Sequence, residues 1–278
     1  MSSALTPLIT LRPWDGGACL SDLGEDRHVL LLLDSEDSPE AFGCRHDDFS
    51  CATLLFRSAG HVAPLPCPAA LKGSTGRVLT FTRDLSGDTP LESRLEEYTF
   101  GRYAAREALH LACRERHVVG HILDELQHEM EADIDDFTRR ILTDHLQLLF
   151  DHVSRFYHRQ FITRENCNAA MMGKVNWFLT TYFDTGRVPA EGFPTADDAA
   201  EVLHVSTPYF LDLLQHVTGR TWDAYLFNAR LEHAKRMLQN GKGLADIARC
   251  LGFRSTSGFS ALFRRLTGLT PTQFRHTS

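Results

Sequence analysis

Apolar positions follow two rhythms along this chain. Near the front, short runs from Val29 to Leu33, Cys51 to Phe56 and Arg77 to Phe81 lie between stretches rich in Pro, Gly and Asp, which predicts strands separated by turns and a small antiparallel sheet or barrel. From about residue 118 the period becomes helical. Ile122, Leu123, Leu126 and Met130 stripe one segment, and Ile141, Leu142, Leu146, Leu149, Phe150 and Val153 the next, so Val118 to Arg159 reads as a helical hairpin. Such stripes can pack on the sheet, pair with a second subunit, or do both. The polar stretch Thr163 to Asn168 reads as a linker, with a domain boundary between 163 and 172, and Gly186 to Pro194 as a loop.

The last eighty or so residues hold a repeat. Ser206-Thr-Pro-Tyr-Phe-Leu-Asp-Leu-Leu-Gln-His-Val-Thr-Gly219 aligns with Ser255-Thr-Ser-Gly-Phe-Ser-Ala-Leu-Phe-Arg-Arg-Leu-Thr-Gly268 at an offset of 49 residues, and Ala199 to Leu203 aligns with Ile247 to Leu251 at 48. Phe210 meets Phe259, Leu213 meets Leu262, Leu214 meets Phe263 and Val217 meets Leu266. Each run predicts a helix of about three turns with a serine N-cap, and each is preceded by a helix and a short turn. Gly252 falls in the second turn, where a left-handed backbone costs glycine little. That arrangement lays its second helix in the major groove of DNA. One copy would look like any core helical hairpin; two matching copies are far more specific. Between them Trp222 to Asn240 predicts a helix of about 28 Å, near the roughly 34 Å that separates successive major-groove faces.

Ala245-Asp-Ile-Ala, Leu251-Gly-Phe253, Phe259-Ser-Ala-Leu-Phe-Arg264 and Thr267-Gly-Leu-Thr-Pro-Thr-Gln-Phe-Arg275 make this segment resemble the DNA-binding domain of the AraC/XylS family of bacterial transcription regulators. Glu97-Tyr-Thr-Phe100, Glu107-Ala-Leu-His-Leu111 and Arg155-Phe-Tyr-His-Arg-Gln-Phe-Ile-Thr-Arg-Glu165 extend the likeness upstream, to roughly residues 25 to 275. The resemblance implies an α+β chain: an N-terminal cupin-like β-barrel with a helical hairpin, then an all-α DNA-binding domain of two helix-turn-helix units joined by a linker helix. The expected divisions are an effector-sensing domain over 1–115, a dimerising hairpin and linker over 116–168, and a DNA-binding domain over 169–278, with the helix-turn-helix units at 196–218 and 244–267.

The same resemblance places individual residues. Thr256, Ser257, Ser260 and Ala261 fall where the family reaches base edges, and Arg254, Arg264 and Arg265 where guanidinium groups meet phosphate. In the first unit Thr207, Tyr209, Leu211 and Asp212 are the candidate base contacts. An acidic Asp212 suits only a cytosine amino group, so this helix either reads bases or mainly positions the domain. Implied partners are a double-stranded DNA operator, a small-molecule effector, a second copy of the chain and, for an activator, RNA polymerase.

Charge is divided in the same way. Residues 171–278 hold 12 Lys/Arg against 9 Asp/Glu, whereas residues 1–170 hold 17 against 27, so net charges of +3 and −10 sum to the −7 of the whole chain. No acid follows Asp246. Because phosphate neutralisation supplies the sequence-independent part of DNA affinity, the local basic face outweighs an overall acidic balance.

A chain of 278 residues that is 43% apolar suits about two cored domains, and no stretch has the length of a membrane span. Seven cysteines, none in a Cys-x-x-Cys pair, argue against a disulfide framework or zinc finger and suit a reducing cytoplasm. No cofactor is implied. His28, His46 and His61 are isolated rather than paired as in metal-binding cupins, which disfavours an enzyme in the barrel. His117, His121, Glu125 and His128 share one helical face, a geometry open to zinc but equally that of a solvated helix. A front half that serves only for dimerisation is the other alternative.

Overall fold

The computed structural model describes residues 8–14, 24–34, 51–61, 71 and 74–277. The chain forms two compact units, Met1–Glu165 and Asn166–Ser278. His46 lies outside the described residues.

The first unit is built on five antiparallel strands: β1 (Ile9–Trp14), β2 (Arg27–Asp34), β3 (Ala52–Arg57), β4 (Gly76–Thr82) and β5 (Leu109–Leu111), in the order β1-β4-β2-β3-β5. Leu30 pairs with Leu79 on one side and Phe56 on the other, and Thr53 faces His110 across the β3–β5 pair. The three apolar runs are the central strands, and they are apolar throughout because both sheet faces are covered. Val29, Leu31, Leu33, Leu55 and Val78 join Trp14 and Leu71 in one cluster. Toward the helices, Phe56 and Phe81 meet Phe150 at ring-centroid distances of 4.5 and 6.0 Å. Among the described residues the five strands form one sheet with β1 and β5 at its edges.

Two short helices, α1 (Arg83–Ser86) and α2 (Pro90–Glu97), follow β4, and the hairpin of α3 (Cys113–Glu131) and α4 (Thr138–Thr163) follows β5. The hairpin holds the β5 edge through side chains. Gln160 accepts from the His110 N–H at 2.8 Å and donates to the Ala108 carbonyl at 3.1 Å. Arg159 donates to the His110 carbonyl at 2.6 Å and pairs with Glu115, whose carboxylate also caps α3 at the Ala112 N–H. Leu142, Leu146, Leu149 and Val153 are buried, but Ile141 is exposed together with Ile134, Phe137 and Leu148.

Two expectations need correction here. Residues 163–168 are not an irregular linker: α5 (Glu165–Asp184) begins directly after Arg164, and Arg164 and Asn168 are buried, so their polarity reflects interior contacts rather than a solvated tether. A disulfide joins Cys51, just ahead of β3, to Cys113, at the start of α3, with Cα atoms 5.2 Å apart. The Cys51 N–H also bonds the Leu111 carbonyl at 2.8 Å, so backbone pairing brings the two cysteines together. Cys167 and Cys250 are not disulfide-bonded.

The second unit is all helical: α5, α6 (Val188–Glu191), α7 (Ala196–Leu203), α8 (Thr207–Thr218), α9 (Trp222–Gln239), α10 (Leu244–Cys250), α11 (Thr256–Thr267) and α12 (Pro271–Thr277). One hydrophobic cluster runs through it, from Leu179 and Phe183 through Phe210 and Leu214 to Leu238, Ile247, Phe259 and Phe263. Among the described residues no helix is long and apolar enough to cross a membrane.

Candidate nucleic-acid interface

The repeat read from the sequence is repeated in three dimensions, down to its caps. Ser206 Oγ accepts from the Tyr209 N–H at 3.4 Å and Ser255 Oγ from the Gly258 N–H at 3.1 Å, each fixing the start of a helix of 12 residues. Both helices end on a left-handed glycine, Gly219 at φ 66° and Gly268 at φ 77°. The turns ahead of them match as well. The Val205 N–H bonds the Ala200 carbonyl at 3.0 Å and the Phe253 N–H bonds the Ala248 carbonyl at 2.8 Å, each across a left-handed residue, His204 at φ 57° and Gly252 at φ 68°. These six-to-one bonds turn the chain sharply from α7 into α8 and from α10 into α11.

Phe210, Leu213 and Leu214 on α8 and Phe259 and Phe263 on α11 point into the shared core. Val217 and Leu266, expected to continue the stripe, are instead exposed in both copies. The linker helix α9 buries Trp222, Leu226, Ala234 and Leu238 in the same core, and Trp222 Nε1 donates to the Pro194 carbonyl at 3.2 Å. Both candidate recognition helices therefore hang from one packed framework, which holds their separation.

On α11, Thr256, Ser257 and Ala261 are exposed and Ser260 is half-buried; Ser257 and Ala261 face away from Phe259 and Phe263, while Thr256, at the first turn, lies along their side of the helix. Ser257 Oγ lies 3.0 Å from the capping Ser255 Oγ. Arg254, Arg264 and Arg265 are exposed, and among the described residues none makes an ion pair. By contrast Arg249 pairs with Asp246 at 2.8 Å and Arg275 donates to the Lys242 carbonyl, so these two cations are spent within the protein.

The first helix is less open. Leu211 is exposed and Asp212 half-buried, and Thr207 Oγ1 donates to Asp197 on α7 at 2.6 Å. Tyr209, expected at a base edge, is only 4% exposed. Its position four residues ahead of Leu213 puts it on the core side of α8, a spacing already present in the sequence. On the other unit, His117, His121, Glu125 and His128 lie along α3, and among the described residues no three His, Cys, Asp or Glu side chains come together as a metal site.

A unit whose two helix-turn-helix copies share caps, turns and core belongs to the class of DNA-binding modules. Residues 199–277 match a family described as a helix-turn-helix domain. The uncharacterized HTH-type transcriptional regulator YobQ of Bacillus subtilis is 33% identical over 84 residues, 30% of this chain and 35% of that protein. The melibiose operon regulatory protein of Escherichia coli is 33% identical over 85 residues, 30% of this chain and 28% of that one. The HTH-type transcriptional activator RhaR of Escherichia coli is 43% identical over 60 residues, 21% of each chain. This chain thus spans about a third or less of the length of these curated relatives. Over residues 199–277 the chain is similar to DNA-binding helix-turn-helix domains of the AraC/XylS type.

Proposed function

We propose that this protein regulates transcription by binding a DNA operator through α11 and α8, under the control of a small molecule bound in the first unit. The observation that carries the reading is the duplicated helix-turn-helix with three unpaired arginines, Arg254, Arg264 and Arg265, around the exposed face of α11. Thr256, Ser257, Ser260 and Ala261 are the base-reading set, and the arginines hold phosphates. On α8 only Leu211, Asp212 and Thr207 remain as candidates, and the Thr207–Asp197 bond favours a positioning role for this helix.

The β-sheet unit is read as the cupin-like sensor, with residues 1–115 sensing, 116–168 dimerising and 169–278 binding DNA in the cytoplasm. The exposed Ile134, Phe137, Ile141 and Leu148 support self-association through the hairpin, since apolar surface is covered when two copies meet. A dimer would present four recognition helices to a bipartite site and, in an activator, an approach for RNA polymerase. No bond-making chemistry is assigned to either unit. Selection of bound sequences from a random DNA library by the full-length protein, at two salt concentrations, tests the reading. Recovery of a motif with half-sites about one helical turn apart supports it; absence of any DNA binding overturns it.

A further inference from the structure

A cleft of about 460 Å³ opens in the first unit beside the end of the sheet, lined among others by His28, His61, Arg83, Glu92, Glu96 and Arg102. Its size suits a small metabolite. Four formal charges border it, and among the described residues none of them pairs with another. Arg83 spends one N–H on the Ala59 carbonyl at 2.9 Å, while Arg102, Glu92 and Glu96 make no ion pair or side-chain hydrogen bond. With both signs lining one cavity and not joined to each other, both are available to a bound molecule.

The cleft also has a fixed floor. His28 is 5% exposed and stacks on Phe81 at 4.6 Å. Its Nδ1 accepts from the Ala59 N–H at 3.2 Å, so the neutral ring carries its proton on Nε2, a donor with no partner among the described residues. Burial, and then the charge of Arg83, pushes His28 down to about 4, which keeps it neutral at pH 7. His61 is likewise pushed down by burial and then by Arg102 and Arg83, so both guanidinium groups act on one ring. Gly60, at φ 77°, makes room for one of them: a β-carbon there would stand 3.2 Å from Arg83 Nη2. The carboxylates come from a different element, one turn apart on the same face of α2.

We propose that this cleft binds a small dipolar molecule of the amino-acid class, its carboxylate held by Arg83 and Arg102, its ammonium by Glu92 and Glu96, with His28 Nε2–H donating from the floor. The assignment names the effector class for the switching role proposed above and rests on that role only for its consequence, not for binding.

The test is thermal-shift screening of the full-length protein with each proteinogenic amino acid at millimolar concentration, followed by calorimetric titration of those that stabilise it. Each binder is compared with the amine lacking its carboxylate and the acid lacking its amine. Glu96→Gln and Arg102→Ala alter exposed side chains outside the core, and their melting temperatures check that the fold is kept. The expected result is at least one amino acid that binds, a tenfold or larger loss in either variant, and a similar loss when either charged group is removed from the ligand. Binding by none of the amino acids, or binding unchanged in both variants, overturns the assignment. Operator affinity measured in parallel separates the two readings. An amino acid that binds without altering DNA affinity upholds the cleft and refutes switching; an acid without an amine that alters DNA affinity equally in wild type and Glu96→Gln upholds switching and refutes the dipolar site.

Discussion

The guanidinium carbon of Arg230 lies 4.1 Å from the ring centroid of Phe253 and 4.4 Å from that of Phe193. Arg230 belongs to the linker helix α9, and Phe253 follows the left-handed Gly252 in the turn ahead of α11, so a sandwiched cation ties the linker to the second helix-turn-helix. Burial holds this guanidinium below its usual range, a cost the two ring faces offset. Arg230→Ala should cost about 2 kcal/mol through lost cation–π contact and packing. Arg230→Lys should recover only part of that, because an ammonium cannot stack as a plane between two rings. Urea unfolding followed by the fluorescence of Trp177 and Trp222 measures both, and a lysine variant as stable as wild type would refute the stacking account.

The two turns make opposite predictions from one geometry. At Gly252 a β-carbon would stand 2.7 Å from Val188 Cγ1 at a backbone φ of 68°, so Gly252→Ala should cost about 2 kcal/mol or more from strain and overlap together. At the matching position His204 already adopts φ 57°, and His204→Gly relieves about 1 kcal/mol of left-handed strain. Glycine also loosens the unfolded chain, which offsets part of this, so a net gain of at most about 0.5 kcal/mol is expected. Thermal melts of the pair decide; destabilisation by His204→Gly would mean that its imidazole holds the turn by some other contact.

Acid should weaken the first unit through His28. Its folded pKa of about 4 lies below the ordinary 6.5, so the unfolded chain takes up a proton that the folded one refuses, and stability is complete above pH 6.5 and falls as the pH drops toward 4. The gap corresponds to about 3 kcal/mol lost by pH 4. His28→Asn keeps an acceptor for the Ala59 N–H but cannot titrate, and should flatten the stability profile between pH 6.5 and 5. His233 in the second unit, buried and lowered in the same direction against the opposing pull of Asp184, adds a parallel slope there.

DNA binding should separate two side chains two turns apart on α11. Arg264→Ala is expected to weaken binding to all sequences and to reduce the salt slope by about one. Ser257→Ala should leave random DNA nearly unaffected while reducing discrimination, by about 1 kcal/mol if a single hydroxyl contact is lost. Competition binding at several salt concentrations distinguishes them; equal loss on specific and random DNA in the serine variant would remove Ser257 from the base-reading set.

Reduction of the Cys51–Cys113 bond, which closes a segment spanning 62 residues, should lower the stability of the first unit by about 4 kcal/mol through the entropy released to the unfolded chain. Melting curves with and without reductant, compared with a Cys51→Ser variant, give the value. If the serine variant and the oxidised protein melt together, the bond contributes nothing.

How far the sequence could be read follows from the physics of each element. Strands β2, β3 and β4 announced themselves because burial on both faces demands unbroken apolar runs. Strand β5 could not, since three residues, Leu109 to Leu111, carry no periodicity and owe their pairing to β3 and Gln160. Strand β1 was hidden by Arg12 and Pro13, which an edge position tolerates. The disulfide left no local trace, because the partners are distant along the chain and meet only through the β3–β5 pairing. The recognition helices were legible since their caps, turns and apolar faces are all local. Tyr209 was misplaced by following the family pattern rather than the helical spacing that ties it to Leu213.

The left-handed caps Gly219 and Gly268 have one further consequence. Both have open space where a β-carbon would stand, so an alanine at either position imposes nearly the same local strain on folding. The duplication thus supplies the molecule with its own internal control: the same change made in either copy disturbs the fold alike, and any difference in operator affinity between the two measures how unequally the two halves grip DNA.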